Sequence, residues 1–176
     1  MATATKIIDK ARSYIGVKES PAGSNNVIFN TDYYGHPVYG SNYHWCCTFV
    51  WDIFRMCGAS NLFYNGQKTA SCTTVLRWAE QCGLIVNKSY GKKGDIILFD
   101  WDGSGDADHI GLIVGKNSDG TYTTVEGNTA VGNDSNGGQV MERRRGSCIR
   151  AVIRPQYEPE HVDPIPPNKP TKPIKD

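Results

Sequence analysis

The stretch GDIILFDWDGSGDADHIGLIVGKNSDGTYTTVEGN, residues 94–128, decides the fold. It holds three segments of five or six residues: Asp95–Phe99, His109–Val114 and Thr121–Glu126. Their β-branched, aromatic and other apolar side chains suit a pleated surface. Asn117, Ser118, Asp119 and Gly120 separate the second from the third, a composition that reads as a hairpin turn. Gln139–Arg143 and Ile149–Arg154 follow as two further strands. Upstream the period is helical. Ile7, Ile8, Ala11, Tyr14 and Ile15 share one face over 4–16, and Cys46, Phe49, Val50, Ile53 and Phe54 share one over 45–56. Val75, Leu76 and Ala79 do the same over 73–81, and Gly16, Gly58 and Gly83 stand at the three ends. Helices first and strands afterwards predict an α+β domain, its N-terminal helices packed on an antiparallel sheet of about five strands. Residues 18–43, broken by Pro21, Gly23, Gly35, Pro37 and Gly40, read as a long irregular loop rich in tyrosine. A loop of that length in a compact domain usually carries function.

The whole chain has 176 residues, enough for one domain with a tail. Apolar residues make up 39% and charged residues 21%, a globular balance. Lys+Arg 19 against Asp+Glu 18 leaves a net charge of +1, which argues against nucleic acid as a partner. No apolar run approaches the roughly 20 residues needed to cross a bilayer, so no membrane partner is expected. The start, MATATKIIDK, lacks the basic and apolar regions of a secretory signal. Synthesis and retention in the cytoplasm until release is the expectation. Seven of the 9 prolines lie between Pro155 and Asp176. That composition favours extended polyproline II, so residues 1–155 are expected to form the domain and 156–176 a Pro-rich linker or tail. Cys46, Cys47, Cys57, Cys72, Cys82 and Cys148 read as free thiols in that compartment, and no Cys-x-x-Cys spacing suggests structural zinc.

Cys46 follows Trp45 at the predicted start of a helix. Free backbone N–H groups and a partial positive charge there favour thiolate and can hold an oxyanion. His109 opens an apolar strand beside Gly111, a place where a ring can stand at the sheet end and serve as a base. A third group must accept the other ring N–H, and either Glu126 or Asn128, at the end of the next strand, can reach it. Between these elements, Asp100, Asp102, Ser104, Asp106 and Asp108 alternate along a loop with Gly105 in the sixth place. This is the first part of an EF-hand-like Ca²⁺ loop, although Gly111 stands where the twelfth-place Glu belongs.

Trp45-Cys46 leading a helix, Gly94-Asp95-Ile96-Ile97, Asp108-His109-Ile110-Gly111 and Val125-Glu126-Gly127-Asn128-Thr129 occur in that order. Together they resemble a CHAP domain, a cysteine- and histidine-dependent amidohydrolase/peptidase, over residues 5–155. Gly23-Ser24-Asn25-Asn26 and Tyr33-Tyr34-Gly35 resemble CHAP domains of phage endolysins. The resemblance implies a papain-like fold and hydrolysis of a peptidoglycan amide, as N-acetylmuramoyl-L-alanine amidase or endopeptidase. It makes Cys46 the nucleophile, His109 the base, Glu126 its orienting residue and Asn128 a fourth polar member. Tyr34, Tyr43, His44 and Trp45 are the expected substrate-binding residues. No cofactor is required for the chemistry, with structural Ca²⁺ as an addition. Bacterial peptidoglycan is the implied partner, and the tail suits a tether to a cell-wall-binding module. Cys47 departs from the small residue usual at its place and leaves two adjacent thiols as candidates. The alternatives are an NlpC-type wall peptidase with a different third residue, or a non-catalytic wall-binding module.

Overall fold

Residues 2–161 are described by a computed structural model. Four helices, α1 (Ala4–Arg12), α2 (Ile28–Tyr34), α3 (Cys46–Met56) and α4 (Cys72–Gln81), come before the strands. The strands are β1 (Ile85–Val86), β2 (Ile96–Phe99), β3 (His109–Lys116), β4 (Tyr122–Thr129), β5 (Gln139–Arg145) and β6 (Ile149–Ile153). All neighbours pair antiparallel in the order β1-β6-β2-β3-β4-β5. The architecture is the α+β, papain-like arrangement expected from the sequence, with six strands in place of about five. The extra strand, β1, is two residues against β6, too short for any hydropathy period to show.

Helix α3 lies against β3 and β4, and every residue from Cys46 to Phe54 is buried. A helix apolar nearly all round belongs at the centre of a core. Gly127 permits the close approach, because a Cβ there would stand 2.7 Å from that of Phe49. Strand β2 is buried on both faces. Ile96 and Leu98 join the main core under the helices, whereas Ile97 and Phe99 meet Ile113, Tyr122 and Val152 in a smaller one.

The irregular segment 18–43 contains α2, which the sequence reading missed. Its seven residues bury only Phe29 and Asn30, so no apolar stripe announces it. Asn30 donates to the carbonyls of Asn25 (2.9 Å) and Tyr43 (2.8 Å) and accepts from the Thr48 hydroxyl (2.7 Å). One buried amide thereby fastens the loop to the first turn of α3. At the far end, Tyr157 donates to the Gly94 carbonyl (2.7 Å) and stacks on Phe54, so the chain still packs on the domain past Pro155. Of the expected tail, 156–176, residues 162–176 lie outside the described residues.

Candidate active site

The site forms where the N-terminus of α3 meets the ends of β3 and β4. His109 is the first residue of β3 and Glu126 lies in β4; both are fully buried. His109 Nε2 and Glu126 Oε2 are 2.8 Å apart. Gly111 makes that bond possible. A Cβ at 111 would stand 2.7 Å from Glu126 Cγ, so only glycine lets the Glu126 side chain lie across β3 toward the ring. Of the two orienting candidates, Glu126 makes the bond. Asn128 turns elsewhere: its carbonyl accepts from the Gly138 amide (3.1 Å) and its NH₂ faces Asn136 (3.5 Å). It sits at a break in the β4–β5 register with φ 55, a left-handed conformation asparagine tolerates, and braces the loop before β5.

Cys46 opens α3 close enough to the His109 imidazole for the two to shift each other's charge, and the buried Nδ1 of that ring has no hydrogen-bond partner among the described residues. Cys47 points away and donates to the Thr69 carbonyl (3.4 Å), as the 100° step of a helix requires. No side chain caps α3, so its first-turn N–H groups have no side-chain acceptor.

Two residues outside the expected set complete the site. Cys72 opens α4, and its sulfur lies 3.7 Å from that of Cys46. Arg145, in β5, forks onto Glu126: Nε donates to Oε1 (2.8 Å) and Nη2 to Oε2 (2.6 Å). Sequence alone gave no signal for Cys72. Arg145 ends an apparently solvated run, Arg143-Arg144-Arg145, and only strand alternation hints that its middle member faces opposite to the other two.

Charge in the pocket follows from burial and these partners. The Cys72 thiol and desolvation push the Cys46 thiol well above its ordinary value, while His109 pulls it down. The net direction is opposite to the one its helix position alone suggests, because the second thiol and burial together outweigh His109. Burial opposes a charged imidazole, but Cys46 and Glu126 outweigh it and raise His109 to about 9. Burial likewise opposes the Glu126 carboxylate, and Arg145 and His109 hold it down at about 2.

A cleft of about 450 Å³ opens over the thiols, with His44, Cys46, Cys72, Trp101, Asp108 and Asn136 in its wall. A groove of similar size, about 470 Å³, lies beside β1 and holds Glu80, Lys88 and Arg150 but no nucleophile. Of the expected substrate-binding residues, His44 is in the cleft wall. Trp45 is not available: it is fully buried, stacks on Phe29 and donates to Glu19 Oε2 (3.1 Å). Its role is to seat the start of α3. Tyr34 and Tyr43 pair edge-to-face at 5.1 Å, outside that wall.

In the acidic loop, oxygens of Asp100, Asp102 and Asp108 come within 4.8 Å of one another. The Asp100 carboxylate accepts from the amides of Gly103, Ser104 and Gly105, and Asp108 accepts from that of Trp101. Asp106 is drawn off to Arg77 (3.1 Å), and the Ser104 hydroxyl lies toward the Asp106 amide (3.4 Å). The five-donor arrangement read from the sequence is therefore reduced to three carboxylates already served by backbone.

A thiol, an imidazole and a carboxylate in series beside an open cleft form the constellation of thiol-dependent acyl transfer. Residues 38–128 match the family model of the CHAP domain, and the chain belongs to that family. CHAP domains are typically cysteine- and histidine-dependent amidohydrolases or peptidases, and membership points in general to peptidoglycan amide hydrolysis. No curated protein and no solved structure matches the chain. Among the described residues no helix is long and apolar enough to cross a membrane.

Proposed function

We propose that this chain is an endolysin-like peptidoglycan hydrolase that cuts a wall amide bond with Cys46 as nucleophile. The observation that carries the reading is the fixed imidazole. Glu126 holds His109 Nε2 at 2.8 Å and leaves Nδ1 for the thiol. In the reactive state the Cys46 proton is held on His109 as a thiolate–imidazolium pair, and the sulfur attacks the scissile carbonyl of a stem or cross-bridge peptide lying in the cleft. The developing oxyanion is held by the free backbone N–H groups at the start of α3. His109 then protonates the leaving amine, and water releases the acyl group from the thioester. Glu126 keeps one tautomer and steadies the imidazolium. The chemistry requires no cofactor. A Ca²⁺ ion in the acidic loop would have a structural role, bracing the segment that leads into His109. A wall-binding module joined through the Pro-rich segment would supply targeting.

Cys46→Ala is expected to abolish lysis of susceptible walls and release of new amino groups from purified peptidoglycan, with the thermal transition retained. Mass spectrometry of the wild-type digest identifies the bond cut. Equal lysis by the variant would refute the nucleophile, and wall binding without any hydrolysis by the wild type would favour a binding module.

A further inference from the structure

We infer that Arg145 is a positioning residue of the reaction, acting on His109 through Glu126. The inference rests on the proposed chemistry of Cys46 and His109.

A fully buried carboxylate requires a partner, and any cation would serve that purpose. The geometry around Arg145 does more. Its Nε and Nη2 meet the two oxygens of Glu126 separately, at 2.8 and 2.6 Å. A bidentate fork fixes the rotation of the carboxylate plane, which a single ammonium contact does not. The Thr124 hydroxyl donates to Oε1 at 2.7 Å, which leaves Oε2 to meet His109 Nε2. The oxygen that orients the imidazole is thus aimed from three sides.

The guanidinium is itself held. It lies over the rings of Phe99 (5.3 Å) and Trp101 (5.2 Å). The same two rings flank His109, at 5.9 and 6.1 Å. Arg145 and the imidazole therefore rest on one aromatic wall. The remaining nitrogen, Nη1, donates to Asp134 (2.8 Å), which Arg143 also grips (2.9 Å). The two residues after Asp134, Ser135 and Asn136, line the cleft. One side chain so joins the group that orients the base to the loop that bounds the substrate. Loosening such a support by a fraction of an ångström costs rate without removing any reacting atom.

The test is a double-mutant cycle on peptidoglycan fragments. Arg145→Met is expected to lower kcat by about 10- to 100-fold with KM changed less than about threefold. Arg145→Lys keeps the charge but not the fork and should recover only part of that loss. On a Glu126→Gln background, Arg145→Met should cost less than about threefold more, because the carboxylate through which it acts on His109 is gone. Glu126→Gln/Arg145→Met also leaves no uncompensated buried carboxylate, so if Arg145→Met alone fails to fold, the loss in Arg145→Lys set against the small step from Glu126→Gln to the double variant carries the same test. Full multiplication of the two losses, or complete rescue by lysine, would overturn the positioning role. A readout independent of turnover is the proton resonance of His109 Nε2–H, which should move in Arg145→Met and in Glu126→Gln. A resonance unmoved by Arg145→Met sinks this inference whether or not the wall is cut. A wild type that cuts no wall while the resonance moves sinks the proposed reaction alone.

Discussion

The loop from Asp100 to Asp108 and the pocket around Glu126 are joined by one peptide bond, between Asp108 and His109, yet they treat negative charge in opposite ways. The loop carboxylates are mostly exposed and accept hydrogen bonds from amides a few residues away. Water screens them, so their charges act weakly on one another. Glu126 is sealed from water, and its partners are His109, 17 residues back, and Arg145, 19 residues on. Local charge clusters satisfy themselves, whereas a buried charge needs the tertiary fold to bring it a cation.

That contrast breaks most visibly at Gly111. Gly111→Ala puts a methyl 2.7 Å from Glu126 Cγ, so the carboxylate must leave its place over β3. We expect wall hydrolysis to fall about 100-fold or more, and overpacking to destabilise the fold by about 1–3 kcal/mol. Turnover assays with thermal unfolding check both. An alanine variant with wild-type turnover would mean that this placement is dispensable.

Glu126→Gln keeps the shape and removes the charge, with an expected rate loss on the order of 10-fold or more but not abolition. Its stability should also depend on pH in a particular way. Glu126 is held at about 2 in the fold against an ordinary 4.5. A depressed carboxylate stabilises the native state above its unfolded value, and that contribution fades as pH falls toward the folded one. The wild type should therefore exceed Glu126→Gln in melting temperature near neutrality, and the gap should close between pH 4.5 and about 2. A gap constant across that range would show that the carboxylate is not ionised in the fold.

The smallest effects belong to the loop. Asp102→Asn should change the melting temperature by about a degree or less and leave hydrolysis near the wild-type rate. If Ca²⁺ braces the loop, EDTA lowers the melting temperature of the wild type and not of Asp102→Asn. If EDTA changes neither, the acidic loop holds itself by its own amides, as its hydrogen bonds already allow.

Much of this contrast was visible in the sequence, and the remainder for physical reasons was not. Cys46 and His109 stand first in α3 and β3, and Glu126, expected at a strand end, lies inside β4, which runs on to Thr129; at each place a polar side chain interrupts an apolar run. Such interruptions are legible one residue at a time. Asn128 shares that signature, but its backbone conformation turned its amide toward the loop before β5, and a one-dimensional pattern carries no direction. Trp45 was misplaced for the same reason: an aromatic at the start of a helix can face the cleft or the core, and only its stacking on Phe29 decides. Helix α2 escaped because its inward face is an asparagine and a single phenylalanine.

By itself, the sequence determined that helices precede the sheet, the apolar faces that bury the longer elements and the residue types able to do thiol chemistry, since each of these is written in local spacing. Only the tertiary structure decided which thiol meets the imidazole, that Cys72 stands beside it and that Arg145 faces Glu126. Those facts depend on how separate elements approach one another, and distance between elements is fixed by packing, not by position along the chain.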